Sequence, residues 1–405
     1  MTHENNLQQN SFLTFKYNKN LKRHGWLRLT PAYSVKIVHD ILLKNHTASN
    51  ILDPFSGTGT TATVAAELGY RASAYDINPF LIWLGNIKCS SFSKKDISEI
   101  DLSIKKIITL PINNDTQWIP NIFNIERWWN KDTVNILSNI RSNIVNTIGE
   151  VHTSKKCGII WIAFARLVIE TSSAAFNHVS MSFKDNTKIL TKNYIIQLFS
   201  KILHIIRNSL EDRMLGIGKI QYSNATIPYT TEEKFDLIIT SPPYPNRMSY
   251  IRELRPYMYW LKFIDTAQSA GELDWEAIGG TWGIATSRLK NWAPQYNSSK
   301  KLKTCVSKIA ETSQKNSEIL SKYIFKYFDD IDIHISNTTS ILKKNAHINY
   351  ILGNSNFFGI NVDTEYFLIE SLNKHNFSNI TSEIIRKRNC KKNLFEYKIS
   401  AIYQA

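Results

Sequence analysis

Residues 50–79 read N-I-L-D-P-F-S-G-T-G-T-T-A-T-V-A-A-E-L-G-Y-R-A-S-A-Y-D-I-N-P. Ile51-Leu52 predicts a short strand, Gly57-Thr58-Gly59 a tight turn, and the small-residue run that follows a helix; Arg71 to Asp76 predicts a second strand ending on an acidic residue. Strand, glycine turn, helix and strand open a β-α-β unit, so an α/β fold with a mostly parallel sheet is expected.

Upstream, Leu21 to Trp26 is basic and aromatic, and Thr30-Pro31 is placed to cap a helix over S-V-K-I-V-H-D-I-L-L. Downstream, from about Phe80 to Ile217, long helical periodicities rich in Ile, Asn and Lys take over with no strand of comparable quality, which reads as a helical insertion. Strand character returns at K-I-Q-Y-S-N-A-T and at F-D-L-I-I-T, the latter running into S-P-P-Y at 241–244. A helix is expected over Tyr250 to Phe263 and a long one near Lys301 to Phe328. Three C-terminal strands are then expected: H-I-N-Y-I-L-G-N-S, D-T-E-Y-F-L-I-E-S-L-N-K-H-N-F and N-L-F-E-Y-K-I-S-A-I-Y, the last two flanking the basic turn R-K-R-N-C-K-K as a hairpin.

The 405 residues are 43% hydrophobic, enough for a sizeable core. Lys and Arg number 49 against 34 Asp and Glu, a formal charge of +15 that suits a polyanionic partner. Four cysteines, at 89, 157, 305 and 390, form no C-x-x-C pair, which argues against a disulfide framework or a structural zinc and for no bound metal. The first residues lack the pattern of a signal peptide, and the most apolar helical stretch, Gly158 to Ile169, is interrupted by Arg166; a cytoplasmic protein with no membrane partner is expected.

A glycine turn between strand and helix brings free backbone N–H groups close to a ligand. A phosphate loop is excluded because no Lys follows the glycines, while a nicotinamide fingerprint of the G-x-G-x-x-A type stays open. The flanks favour S-adenosylmethionine. Asp53, in Asp53-Pro54-Phe55, sits where a carboxylate meets the amino-acid ammonium, Asp76 where one accepts both ribose hydroxyls, and Ile77 and Pro79 where they wall the adenine. Asn78 and, around the turn, Gly57, Thr58, Gly59, Thr60 and Thr61 complete the expected cofactor set.

This stretch resembles motif I (Phe-x-Gly-x-Gly) and motif II of the DNA amino-methyltransferases, and Ser241-Pro242-Pro243-Tyr244 matches that family's catalytic motif IV, Asp/Asn/Ser-Pro-Pro-Tyr/Phe, at every position. The resemblance covers roughly residues 20–85, 218–263 and 340–405. It implies a Rossmann-like class I methyltransferase: a mostly parallel seven-stranded sheet with a C-terminal antiparallel hairpin, plus the helical insertion. The catalytic fold is then expected in three parts, 1–85, 218–265 and 336–405, with 86–217 and 266–335 as insertions able to read DNA.

The exocyclic amine of cytosine or adenine is a poor nucleophile because its lone pair is delocalised into the ring. An acceptor made of the Ser241 side chain and the Pro242 carbonyl shifts the nitrogen toward tetrahedral geometry, and prolines at 242 and 243 fix the corner and remove competing donors. Tyr244 is expected to stack on the base once it leaves the duplex. Ser at the first position implies, within the family, cytosine N4 rather than adenine N6. Asn224 stands where the family's third strand carries Asp, and Thr30-Pro31-Ala32-Tyr33 resembles motif X but equally reads as a helix cap; Asn224 and Tyr33 join the cofactor set. Ile351 to Ser355 and Phe358-Gly359 look like later family motifs beside the base pocket. Trp128, Trp129, Trp275, Trp282 and Trp292 read as core, and Arg386-Lys387-Arg388 with Lys391-Lys392 as a basic tip that is solvated or touches phosphate.

The resemblance implies double-stranded DNA as partner and the modification half of a restriction-modification pair, with any cognate endonuclease a separate chain. An adenine N6 DNA methyltransferase is the first alternative, followed by an RNA guanine N2 or protein amine methyltransferase and a catalytically inactive DNA-binding homologue.

Overall fold

A computed structural model describes residues 11–29, 32–112, 117–175, 182–183, 189–281, 283–294, 299–389 and 393–404. Helices α1 (Phe15–Asn18) and α2 (Val35–Lys44) lead into β1 (Ile51–Asp53), α3 (Thr60–Glu67), β2 (Arg71–Asp76) and α4 (Pro79–Lys88). A mainly helical stretch follows: α5 (Lys94–Thr109), α6 (Lys131–Ile148), α7 (Lys155–Glu170), the short pair β3 (Ala174–Ala175) and β4 (Ser182–Phe183), and α8 (Lys192–Asn208). Then come β5 (Ile217–Tyr222), β6 (Phe235–Thr240), α9 (Tyr250–Trp260), α10 (Ala267–Glu276), α11 (Ile284–Asn291), α12 (Lys300–Ala310) and α13 (Ser317–Thr339). The chain closes with β7 (Leu342–Gly353), β8 (Ser355–Phe357), β9 (Ile360–Val362), α14 (Thr364–Lys374), β10 (Phe377–Asn389) and β11 (Leu394–Tyr403).

Seven strands form one sheet in the order β10-β11-β7-β6-β1-β2-β5. The pairs from β7 through β5 are parallel, and β11 runs antiparallel to both β7 and β10. This is the Rossmann-like arrangement with a terminal hairpin. Strand order reverses between β1 and β6, and a crevice at the carboxyl ends of such a pair is where open α/β sheets bind ligands. Central β6 is almost wholly buried, as an apolar parallel strand covered on both faces should be.

Local chemistry sets the helix starts around that crevice. Asn78 caps α4 by accepting from the Phe80 amide at 3.0 Å, with Pro79 in the first turn, and Ser249 caps α9 through the Arg252 amide at 3.0 Å. Gly85 on α4 lies against Ile220 of β5, so α4 packs on the sheet like any crossover helix. Two apolar clusters line the faces of the sheet, while a third binds α5 to α8 to α4 and α9. Trp128 and Trp129 sit in that third cluster, each 1% exposed, and the Trp129 indole donates to the Val168 carbonyl at 3.0 Å. They are core, as their sequence context suggests.

Three expectations are corrected. The segment from Asp363 to Phe377 is not a strand: Asp363 caps α14, and Thr364, Phe367, Leu368, Ser371 and Leu372 make a helical stripe hidden inside the apolar F-L-I run. The helix expected over 301–328 is two, because Asn316 turns left-handed (φ +67°) and restarts the chain as α13, which runs on to Thr339. The insertion is not purely helical, since β3 and β4 form a two-stranded sheet of their own. Thr30 and Pro31 lie outside the described residues; the α2 cap is Ser34, which accepts from the Lys36 amide at 3.2 Å.

Candidate active site

The carboxyl ends of β1, β2 and β6 meet at a cavity of about 300 Å3. Of the expected cofactor set it is lined by Tyr33, Pro54, Phe55 and Gly57, by Asp76, Ile77 and Asn78, and by Asn224. Ser241, Pro242, Pro243 and Tyr244 line the same space. Asp53, Thr58, Gly59, Thr60 and Thr61 do not; they are buried beneath the turn.

Their positions explain the sequence of the turn. Gly57 (φ +51°) and Gly59 (φ +74°) are both left-handed, and a Cβ on Gly59 would come 3.0 Å from the Gly85 Cα of α4. The Gly57 amide donates to Asp76 Oδ2 at 2.8 Å, and buried Lys88 donates to the Thr58 carbonyl at 2.8 Å. Thr61 donates to the Ile239 carbonyl of β6 at 3.1 Å and pairs with the Tyr33 hydroxyl. The lower residues of the motif thus shape the loop while its upper residues face the cavity.

Two carboxylates carry the electrostatics. Asp53 is 1% exposed; its Oδ1 accepts from Thr240 Oγ1 at 2.6 Å and from the Phe55 amide at 3.1 Å, while its Oδ2 is buried without a partner among the described residues. Burial pushes its pKa up to about 6. Asp76 accepts from the amides of Gly57 and Asn78, each at 2.8 Å, and burial pushes it up to about 7 against those bonds. An orphaned buried oxygen fits a cationic ammonium, each Asp76 oxygen retains a lone pair for a hydroxyl, and Phe55, Ile77 and Leu81 offer an apolar wall. These residues fit S-adenosylmethionine. Asn224 contributes less than expected, since its Oδ1 already accepts from the Thr226 amide at 3.0 Å and the Thr226 hydroxyl at 2.8 Å.

On the opposite wall the corner is held from two sides. Tyr327 of α13 donates to the Pro243 carbonyl at 2.7 Å. The Tyr244 hydroxyl donates to Glu396 Oε1 at 2.7 Å, and Glu396, on β11, is gripped by Arg386 of the cross-strand position on β10. Arg388 lies 5.0 Å from the centre of the Tyr244 ring and donates to the Asn354 carbonyl at 2.7 Å. It crosses directly over Gly353, where a Cβ would fall 2.2 Å from its Nη1.

Arg386, Arg388 and Glu396 line the cavity and are the site residues that sequence reading missed. The expected solvated tip is strand β10 as far as Asn389, and both of its arginines turn inward; Lys391 and Lys392 lie outside the described residues. The available signal was the two-residue spacing of Arg386 and Arg388, which puts both on one face of a strand. Glu276 and Ile278, at the end of α10, also reach the cavity, whereas Phe358-Gly359 forms the β8–β9 turn away from it. Trp275 lies under the cations of Arg288 and Lys326 (5.7 and 4.9 Å), Trp292 tilts against Phe325, and Trp282 is outside the described residues. Among the described residues no cluster of three or more His, Cys, Asp or Glu is arranged to hold a metal, and no helix is long and apolar enough to cross a membrane.

Strand order and site define the class, a Rossmann-like methyltransferase with S-adenosylmethionine as methyl donor. Comparison with known proteins narrows it. The DNA methylase family matches over residues 12–85, the segment that holds both cofactor motifs. The Type II methyltransferase M.MvaI of Kocuria varians is 24% identical over 357 residues, spanning 82% of this chain and 76% of that protein. M.BsoBI of Geobacillus stearothermophilus (25% identical over 277 residues) and M.AvaI of Nostoc sp. (23% over 272) each align with 59% of this chain, which spans about half of their lengths, 53% and 54%. Among solved structures, the rRNA methyltransferase aviRa from Streptomyces viridochromogenes matches with 10% identity over 92% of this chain and 86% of its own, at a TM-score of 0.28, too low to bear on the fold. These matches support an S-adenosylmethionine-dependent DNA amino-methyltransferase.

Proposed function

We propose that the protein methylates the exocyclic amine of a base flipped out of duplex DNA, at cytosine N4. The observation that supports this best is the shared cavity: Ser241-Pro242-Pro243-Tyr244 faces the same space as Gly57, Asp76 and Ile77. Bound S-adenosylmethionine supplies an electrophilic methyl group. Asp76 accepts from its ribose, Phe55 and Ile77 wall its adenine, and Asp53, buried beneath the turn, lends negative charge toward its ammonium.

Ser241 and the Pro242 carbonyl accept the amine hydrogens and so hold the nitrogen lone pair toward the methyl donor. The two prolines keep this corner rigid and free of donors, so most of the rate gain comes from orientation and fixed acceptors. Tyr244 presents its ring to the base, with the Arg388 guanidinium 5.0 Å from the ring centre. Removing the base from the stack costs a few kcal/mol, which contacts in this pocket offset.

Serine at position 241 carries the choice of cytosine over adenine. Reading of the DNA sequence falls to the regions 86–217 and 266–335, and Glu276 and Ile278 at the cavity bring the second of these next to the flipped base. The similarity to Type II methyltransferases supports the modification half of a restriction-modification pair with the endonuclease on a separate chain. The test is transfer from labelled S-adenosylmethionine to duplexes offering only cytosine or only adenine amines within the target. Label on cytosine N4 is expected; label on adenine N6 corrects the base, and label confined to RNA or protein overturns the proposal.

A further inference from the structure

A base that leaves the duplex loses more than its stacking. The ring nitrogen beside the amine, N3 in cytosine and N1 in adenine, is an acceptor whose Watson–Crick partner stays behind in the DNA. A pocket that supplies no donor leaves that nitrogen desolvated and unpaired. The corner at 241–244 offers acceptors to the amine, and its two prolines carry no N–H, so a donor from another element is called for.

Arg386 lines the cavity from β10 and is held firmly there. Its Nε donates to Glu396 Oε2 at 2.7 Å and its Nη2 to Glu396 Oε1 at 3.0 Å, so one edge of the guanidinium is engaged by a carboxylate that is itself 4% exposed. Glu396 Oε1 also accepts from the Tyr244 hydroxyl at 2.7 Å. The guanidinium is thereby fixed relative to the ring that is proposed to stack on the base. Nη1 makes no hydrogen bond among the described residues, which leaves two protons for a ligand. The neighbouring cation is employed differently, since Arg388 donates to the Asn354 carbonyl and lies 5.0 Å from the centre of the Tyr244 ring. A counter-ion for Glu396 alone would need no place on the cavity wall.

We propose that Arg386 is a base-recognition residue whose Nη1 donates to the ring nitrogen beside the amine, N3 of the flipped cytosine, in place of the donor left behind in the duplex. This rests on the methyl transfer proposed above and adds no covalent step to it. The base is then fixed in its plane at two adjacent atoms, its amine by Ser241 and Pro242 and its ring nitrogen by Arg386, while Tyr244 holds its face.

The test uses the full-length protein and duplexes that carry, at the position methylated in the transfer assay above, either cytosine or 3-deazacytosine, in which C–H replaces N3. The kcat/KM on each duplex and the Kd for S-adenosylmethionine are measured for the wild type, Arg386→Met and Arg386→Lys. The deaza change also alters the intrinsic reactivity of the amine, but equally for every form of the enzyme. The quantity read is therefore the cytosine-to-3-deazacytosine ratio of the wild type divided by that of the variant. A quotient of about 10-fold or more is expected for both variants, the worth of a hydrogen bond from a charged group, with cofactor Kd unchanged. A quotient near one overturns the inference. It would mean that Arg386 only braces Glu396 and Tyr244, which slows both duplexes alike, or that another donor on the cavity wall, such as Asn246, reads the ring nitrogen. Should Arg386→Met not fold, Arg386→Lys, which keeps a cation beside Glu396, decides. Label on adenine N6 moves the probe to 1-deazaadenine, with the same quotient expected. A wild type that methylates no DNA amine overturns the proposed function itself, whereas one that does so with a quotient near one overturns only the role of Arg386.

Discussion

The two walls of the cavity are built in opposite ways. The cofactor wall comes from one continuous stretch, Asp53 to Asn78, in which a strand, a turn and a second strand deliver both carboxylates within 26 residues. The wall proposed to hold the base is assembled from parts far apart: Ser241 to Tyr244 at the end of β6, Tyr327 on α13, and Arg386, Arg388 and Glu396 on the terminal hairpin. A local wall tolerates change elsewhere in the chain, whereas a dispersed wall fails wherever one of its supports is lost.

Substitutions can separate the two walls, and the largest effect is expected at the corner. Ser241→Ala should lower single-turnover transfer by about 100- to 1,000-fold, the usual cost of losing one acceptor or donor aimed at the reacting group, and leave cofactor Kd unchanged. If cofactor binding falls in parallel, the walls are not independent. Asp76→Asn should do the reverse: a cofactor Kd weaker by about 10-fold, read by calorimetry, with transfer at saturating cofactor reduced far less.

The pH dependence sharpens the same contrast. Asp53 and Asp76, raised to about 6 and about 7 by burial, must be ionised to meet an ammonium and ribose hydroxyls, so cofactor affinity should fall as pH drops through 7 and then 6. In the free protein the sign is opposite. Folded values above the unfolded ones mean that these groups contribute stability present below the ordinary carboxylate range and lost as pH rises through 6 and 7. The thermal shift caused by S-adenosylmethionine should therefore be larger near pH 8 than near pH 5.5, and a flat shift would contradict the assignment of both carboxylates.

The smallest effect on chemistry is expected at Gly59. Alanine there meets both a left-handed backbone and the Gly85 Cα at 3.0 Å, so it should destabilise the fold by about 1–3 kcal/mol in urea unfolding. Transfer by the folded fraction should change little.

The same contrast decides what could be read in advance. Gly57, Gly59, Asp53 and Asp76 announce themselves because each answers a local demand, a positive φ or a strand end above a crevice, and the order of motifs gave the sheet. Ser241-Pro242-Pro243-Tyr244 stood out through its resemblance to motif IV, placed directly after a strand. Glu396 was not, because nothing near Phe395 or Tyr397 reveals that β11 will lie beside β7 and within reach of Tyr244. The basic turn was read from its charge, yet two of its arginines are committed by cross-strand register and by the empty space above Gly353, both properties of tertiary pairing. The α14 error has a similar root: Phe367-Leu368-Ile369 is apolar enough for a strand, and only the side it buries shows a helix.

The most direct test of the account is nucleoside analysis of duplex DNA incubated with S-adenosylmethionine and either wild-type protein or Ser241→Ala, with cofactor binding by the variant checked alongside. The account predicts methyl groups on an exocyclic amine, at cytosine N4, with the wild type and almost none with a variant that still binds cofactor. Methylation at a ring carbon, or amine methylation undiminished in Ser241→Ala, would contradict it.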